Sequence, residues 1–272
     1  MLNSEEIINK TIKISINKSK SSFKYILYKA ILAGLFAVLG IIARNAAVYN
    51  IENDSVVRIL GGVFFPIGFI FIILLGGELF TGNALMITAV LDKRIKIKSM
   101  IKNMACVFLG NFIGTGIGVF FICNSGFMDI GNGHMAGLIL NGTYNKLKLA
   151  NKEIIFSSIL CNIFVCGTIL MITATKDVVA KLLVSWFTIC TFGILGFEHI
   201  VVNMFYVITS VLIYNNDKYR NIVINMYGNH LYETEWISLF NVLRSFSLVT
   251  IGNIIGGIFL AGILFMCAKN QT

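Results

Sequence analysis

The sequence predicts an all-α protein that spans a membrane. Apolar residues make up 57% of the 272 residues and charged residues only 13%, and the mean hydropathy of +0.82 lies outside the range of ordinary soluble domains. The chain has one proline and 25 glycines, which favours long helices packed through small residues. The alternating pattern of an outer-membrane barrel is not seen.

Six apolar runs are long enough to cross a bilayer, which needs about 20 helical residues. The first, third, fourth and sixth are Ala30–Ala43 with its flanks, Met104–Cys123, Ile154–Thr173 and Ser245–Ala268. The second and fifth, Ile59–Val90 and Leu182–Tyr214, exceed one straight span by roughly ten residues. These two runs are therefore predicted to contain an interrupted helix.

Both long runs carry the same motif, Gly-x-Glu-x-x-x-x-Asn, at residues 76–83 and 196–203. Ionisable groups at membrane depth are costly and usually mark the path of a solute or ion. A broken helix also frees backbone N–H and C=O groups, which need protein or water as partners. Glu78, Asn83, Glu198 and Asn203 are therefore interpreted as structural residues that bond the freed backbone. A proton relay through the two glutamates is the alternative.

A second repeated motif divides the chain into two halves. The pattern Gly-Asn-x-x-Gly at residues 110–114 recurs at residues 252–256. The sequence thus predicts one channel domain over 1–272, with a segment 1–24, a first repeat 25–123 and a second repeat 153–268. Since each repeat has three spans, the second is inverted, and helices 2 and 5 are broken at the bilayer midplane around a shared site.

The loop charges predict the orientation. One side holds 14 Lys and Arg residues and the other 8, and the richer side is cytoplasmic. Both termini are then inside, and Arg44 and Arg58 anchor to outer headgroups. The net charge of +9 reflects these loops rather than a nucleic-acid partner. No cleavable signal peptide is expected.

No cofactor, metal site or disulfide frame is expected. The six cysteines lie in or beside apolar runs without Cys-x-x-Cys spacing, as small core or lipid-facing residues do. His134 and His230 are interpreted as loop residues without a functional role. His199 differs because it follows Glu198 at a predicted helix break.

Three motifs, in order, resemble the formate/nitrite transporter family: residues 78–81, residues 160–166, and residues 196–199 with 203–205. The resemblance implies an aquaporin-like protomer with six helices, a homopentamer with one pore per protomer, and conduction of hydrosulfide, formate or nitrite across the bacterial cytoplasmic membrane. The chain looks most like the hydrosulfide branch. A proton-coupled formate or nitrite transporter is the alternative.

The resemblance also implies roles for single residues. It assigns the central pore histidine to His199, the vestibule lysine to Lys146 and a partner across the pore to Asn162, while Lys148 is a competitor for the lysine in a loop over Asn141–Asn151. Four further pore residues are implied: Thr81, Leu79, Phe80 and Phe192.

The implied mechanism is that Lys146 attracts the anion and an apolar ring then favours its protonation. The proton comes from His199 or from water. Two other functions fit the sequence less well. An intramembrane enzyme lacks a nucleophile with a matching base, and a pore for neutral solutes lacks the twin Asn-Pro-Ala motifs.

Overall fold

A computed structural model of the chain describes residues 2–228, 232 and 236–269. Within these residues the regular structure is helical. The α-helices are α1 Ser4–Lys20, α2 Phe23–Val48, α3 Asp54–Phe64, α4 Pro66–Leu74, α5 Ile87–Leu91, α6 Ile97–Cys123, α7 His134–Lys148, α8 Asn151–Thr173, α9 Val178–Leu195, α10 Ile200–Ile213, α11 Asp217–Tyr227 and α12 Leu239–Lys269. Two 3-10 helices cover Thr81–Met86 and Phe127–Asp129.

Six of these helical segments are long and apolar enough to cross a membrane. They are α2, α3 together with α4, α6, α8, α9 and α12. This agrees with the six spans predicted from the apolar runs. The helices α2 and α12 extend beyond the predicted spans, to Phe23 and Leu239, because flanking polar residues continue the helix outside the apolar stretch.

Two helix pairs, α2 with α6 and α8 with α12, make the most extensive contacts. In each pair a glycine allows the backbones to meet. A Cβ atom on Gly114 would collide with the Ile31 carbonyl, and one on Gly256 would collide with the Ile159 carbonyl. The two pairs thus share one kind of close contact, while the repeats 25–123 and 153–268 and their inversion stay predictions.

Helical structure is interrupted within both over-long runs. Helix α4 ends at Leu74, Gly76 has a φ of +74°, and helical structure resumes at Thr81. Helix α9 is capped by Gly196 with a φ of +71°, and α10 begins at Ile200. A left-handed residue after a helix favours glycine, which has no Cβ atom. This explains why the shared motif begins with glycine at 76 and 196.

The predicted loop over Asn141–Asn151 is wrong, because α7 continues to Lys148. Its apolar side is buried at Met135, Ile139 and Leu140, a spacing that forms one face of a helix. His134 is the first residue of α7, and its Nδ1 lies 3.2 Å from Asn50 Oδ1. His230 lies outside the described residues.

An ion pair joins two segments on the side of the protein that carries α7 and α11. Lys218 Nζ lies 2.7 Å from Asp129 Oδ1, and the Tyr219 hydroxyl donates to the same oxygen at 2.8 Å. These hydrogen bonds hold the pKa of Asp129 below its ordinary value. Burial, followed by the hydrogen bond to Asp129, raises the pKa of Tyr219 to about 12.

The N-terminal segment forms helix α1, which begins with a capping box between Asn3 and Glu6. Ile8 and Ile12 are buried where α1 packs against α5 and α12. Helix α1 is therefore part of the packed bundle, and its last turn carries Lys18 to the first helix interruption.

Candidate functional site

Each interruption is held by one buried asparagine. Asn111 donates to the Glu78 and Ala30 carbonyls at 2.9 and 2.8 Å and accepts from the Phe80 N–H at 2.9 Å. These bonds satisfy backbone groups that the broken helix frees, as membrane burial requires.

Asn253 makes the corresponding contacts at the second interruption. It donates to the Glu198 and Ser158 carbonyls at 3.1 and 2.8 Å and accepts from the Ile200 N–H at 3.1 Å. The echoed Gly-Asn-x-x-Gly pattern thus has a structural cause, since its asparagine stabilises the break and its glycines admit the neighbouring helix.

The first interruption also carries a cluster of charges. Lys18 Nζ lies 2.7 Å from Glu78 Oε2 and 2.6 Å from Asn83 Oδ1. Lys29 Nζ lies 3.4 Å from Glu78 Oε1, and Asn83 donates to Asn103 at 2.7 Å. The carboxylate is therefore matched by two lysines.

The second interruption carries a matching cluster. Lys146 Nζ lies 2.8 Å from Glu198 Oε1, and Asn203 donates to Glu198 Oε2 at 2.8 Å. The Tyr206 ring centroid lies 5.6 Å from Lys146 Nζ. Here one lysine matches the carboxylate.

The two glutamates act differently from what the sequence suggested. Both were expected to accept hydrogen bonds from freed backbone N–H groups. Instead, the Glu78 N–H donates to the Lys29 carbonyl, and the Glu198 N–H donates to the Ser157 hydroxyl. The carboxylates are left to pair with lysine and asparagine side chains, because the asparagines of α6 and α12 already hold the backbone.

His199 is the N-cap residue of α10, and this position fixes its ring. Its Nδ1 accepts the Val201 N–H at 3.1 Å, so the proton of the neutral ring is on Nε2. Nε2 then donates to Thr81 Oγ1 at 3.1 Å. This hydrogen bond joins the two interruptions, and the shared pore site predicted from the motifs stays a prediction.

An inner chamber of about 30 Å³ lies beside His199. It is lined mainly by apolar residues, among them Leu79, Val165, Ile189 and Phe192. A cavity needs roughly 10–15 Å³ to hold one water molecule, so the chamber has room for only two or three molecules of the size of water.

A wider cavity of about 360 Å³, the vestibule, adjoins the inner chamber. Its polar lining includes Arg44, Asp54, Arg58, Asn141, Asn145, Lys146 and Tyr206. Phe65, Phe192 and Val202 line both cavities. These three residues, the partition, therefore separate a polar cavity from an apolar one, and Phe65 and Val202 were not foreseen from the sequence.

Arg44 and Arg58 were expected to anchor to headgroups at the membrane surface. The structure instead places both in the wall of the vestibule. Arg44 donates to Asn45 at 2.9 Å and to the Tyr206 hydroxyl at 3.3 Å, which turns it toward α10. Arg58 donates to the Ile194 carbonyl at 3.4 Å.

The remaining assigned residues occupy the packed interior. Asn162 donates to the Thr81 carbonyl at 3.1 Å and to the Asn253 carbonyl. Phe80 packs edge-on against Phe108, with ring centroids 5.4 Å apart. The pore-facing roles of Asn162 and Phe80 stay predictions.

Lys148 and Lys146 point to different places. Lys146 lines the vestibule, whereas Lys148 lines a separate cavity with Trp236 and Arg244 and lies 5.1 Å from the Tyr144 ring centroid. Lysines two positions apart on a helix do not share a face. Lys18, Lys29 and Asn103 were not predicted from the sequence. The only signal for the two lysines was the basic charge of the segment before the first span, and the uncharged Asn103 had none.

Comparisons with known proteins decide the family. A profile of the formate/nitrite transporter family matches residues 5–267. The chain belongs to this family. It is 30% identical to "Formate channel BtFdhC" of Bacillus thuringiensis, over 98% of this chain and 96% of the relative. It is 31% identical to "Formate channel FocA" of Haemophilus influenzae, over 76% of this chain and 72% of that protein.

Solved structures give the same fold. The structure of an "FNT family ion channel" aligns with a TM-score of 0.80 at 24% identity, covering 96% of this chain and 98% of that one. A "Pentameric formate channel with formate bound" aligns with a TM-score of 0.78 at 25% identity, covering 91% and 98%. This member of the formate/nitrite transporter family is thus an all-helical protein with the fold of its channels, and its named relatives are channels or transporters.

Proposed function

We propose that this protein conducts small monovalent anions through a pore that runs from the vestibule, past the partition, into the inner chamber. The observation that carries the proposal is the order of these parts, in which a cationic mouth leads to a small apolar chamber with one imidazole. Hydrosulfide, formate and nitrite are the candidate anions. Hydrosulfide is favoured by the sequence resemblance and formate by the names of the relatives.

The first step is attraction of the anion by Lys146. Stripping an ion of water costs about 20 kcal/mol in the idealised limit, so the mouth has to offset much of this cost. Lys146 is bonded to Glu198, which lowers its net attraction but keeps its ammonium group in position. The anion is held here while it loses part of its water.

The second step is protonation at the partition. Phe65, Phe192 and Val202 offer no hydrogen bonds, so a weak-acid anion entering between them has its pKa raised by desolvation. Proton uptake is then favoured at the point where charge is least tolerated. A neutral acid of few atoms fits a chamber of about 30 Å³, whereas larger acids do not.

The third step takes place at His199. The neutral ring donates from Nε2 to Thr81, so a solute in the chamber competes with the Thr81 hydroxyl for the Nε2 hydrogen. The proton that travels with the solute comes from His199 or from water. Lys18 and Lys29, paired with Glu78, are placed to attract the anion again on the cytoplasmic side.

The protein is further proposed to be a homopentamer in the bacterial cytoplasmic membrane, with both termini in the cytoplasm. The pentamer is supported by the pentameric formate channel with which the chain aligns. The orientation is supported by the 14 Lys and Arg residues on the terminal side against 8 on the other.

Stopped-flow uptake into proteoliposomes tests the proposal, with formate, nitrite, hydrosulfide, chloride and acetate compared at two pH values. We expect at least one of the first three to enter faster at the lower pH, acetate to be slower because it is larger, and chloride to be excluded because it is not protonated. Equal rates for chloride and the weak acids, or no rate above that of empty liposomes, would refute it.

A further inference from the structure

The vestibule holds more cationic groups than the passage of one anion past Lys146 requires. Its wall carries Arg44, Arg58 and Lys146 but a single acidic residue, Asp54. Lys146 is already paired with Glu198 at 2.8 Å. The two arginines therefore face the single carboxylate of Asp54, which leaves one net positive charge in the wall of the cavity.

Arg44 is held in a fixed position by its neighbours. Its guanidinium donates to Asn45 and to the Tyr206 hydroxyl, which itself donates to Asn45 at 3.0 Å. The Gly61 backbone lies against the same side chain, since a Cβ atom there would fall 3.2 Å from Arg44 Nε. Since the hydrogen bonds of Arg44 to the described residues use Nη1, and Gly61 packs against Nε, the second terminal nitrogen, Nη2, remains available to an anion.

Arg58 lies on the outer part of the same cavity. It is exposed, and its bond to the Ile194 carbonyl is long at 3.4 Å. The backbone of Gly196 passes beside its Nη1 atom, which a Cβ atom would approach to 3.4 Å. Arg58 is thus placed where an incoming anion arrives first.

The position of Tyr206 gives the order of the groups. Its hydroxyl contacts Arg44, and its ring faces Lys146. An anion that moves inward therefore passes from Arg58 and Arg44 along Tyr206 to Lys146. Guanidinium groups bind oxyanions such as carboxylate and phosphate with two parallel hydrogen bonds, which an ammonium group does not.

We propose that Arg44 and Arg58 form an anion-capture site in the vestibule, ahead of Lys146, that takes oxyanions from solution. The proposal rests on the proposed anion pore. The site binds a dianion such as sulfate more tightly than a monovalent anion, because the attraction grows with charge. Sulfate cannot go further, since the cost of desolvation grows with the square of the charge. It therefore acts as a blocker from the vestibule side.

The first test measures formate uptake into intact cells that present the vestibule outward, with and without external sulfate. In the double variant Arg44→Gln, Arg58→Gln we expect the KM for formate to rise about tenfold, the lower end of the effect of a charged cleft on local ion concentration. The maximal rate should stay within about twofold because the partition is unchanged, and competitive inhibition by sulfate should be lost.

Two control variants separate the site from general effects. Arg44→Lys, Arg58→Lys keeps both charges but loses the paired hydrogen bonds, and should retain part of the sulfate inhibition. Lys148→Gln removes one charge from the same side of the protein but from another cavity, and should behave as wild type. A double glutamine variant with wild-type KM and wild-type sulfate inhibition would overturn the inference while leaving the pore intact.

A second test does not depend on flux. Sulfate should raise the Tm of the purified wild-type protein, as a ligand of the folded state does, and this rise should disappear in the double glutamine variant but not in Lys148→Gln. If the wild type conducts none of the three candidate anions, the proposed function fails, and the Tm measurement still decides whether the capture site exists. An equal rise in all three proteins would overturn it.

Discussion

Replacement of Lys146 by glutamine should impair flux far more than replacement of both members of its ion pair. The Lys146 ammonium lies 2.8 Å from the Glu198 carboxylate. For an anion about 5 Å from the lysine and about 8 Å from the glutamate, at an effective dielectric constant of about 20, the lysine attracts by about 3 kcal/mol and the glutamate repels by about 2 kcal/mol. The net attraction is about 1 kcal/mol.

The two variants follow from these values. Lys146→Gln loses the whole attraction and leaves Glu198 uncompensated, so anion occupancy falls by about two orders of magnitude. Lys146→Gln with Glu198→Gln loses only the net attraction of about 1 kcal/mol, so anion occupancy falls about tenfold. At low anion concentration, the rate of uptake by the double variant should therefore be roughly ten or more times that of the single variant.

Stopped-flow uptake by proteoliposomes at anion concentrations well below the KM measures this ratio. Lys148→Gln is the matched control, since it removes the same charge two residues away in another cavity, and it should conduct as wild type. Size-exclusion chromatography verifies that each variant assembles, because an unpaired buried carboxylate also destabilises by about 3–5 kcal/mol. A double variant as slow as the single one, with both assembled, would refute the reasoning.

Three further predictions concern the interruptions and the ion pair between Asp129 and α11. His199→Ala should change the pH dependence of flux, and an unchanged profile across two pH values would contradict its place in the pore. Asn111→Leu and Asn253→Leu should each lower the free energy of unfolding by about 1–3 kcal/mol, because buried backbone groups lose their partners; thermal unfolding in detergent measures this, and an unchanged Tm for either would contradict the assigned role. Asp129→Asn should lower the Tm at neutral pH, and the difference should shrink below about pH 4, since a carboxyl with a depressed pKa loses its stabilising effect as pH falls through the folded-state value; a difference that stays constant with pH would contradict it.

Much of the fold could be predicted because a membrane makes strong demands on a sequence. The six spans follow from uncharged runs, and the interruptions at Gly76 and Gly196 follow from runs too long for one helix. A hydrogen bond from His199 to Thr81 links the interruptions, and the role of these residues in a pore stays a prediction. The two repeats and their inverted arrangement stay predictions.

The rest depends on contacts between distant segments, which have no periodic signal. Lys18 is one of six lysines before the first span, and only the docking of α1 selects it as the partner of Glu78. The segment assigned as a loop, Asn141–Asn151, continues α7 to Lys148 because Thr143 and Leu147 extend the buried face of this helix at helical spacing. Arg44 and Arg58 were interpreted as headgroup anchors because a position at the end of a span is typical of headgroup anchors and also of residues that line a vestibule.

The central claim is that solute passes between Phe65, Phe192 and Val202. Val202→Trp should fill this gap, and we expect anion uptake by proteoliposomes to fall to the rate of empty liposomes while the variant assembles as wild type. Val211→Trp is the matched control, since Val211 lies on the same helix but is 54% exposed on the outside of the protomer, and it should conduct normally. Undiminished uptake by Val202→Trp would contradict the claim.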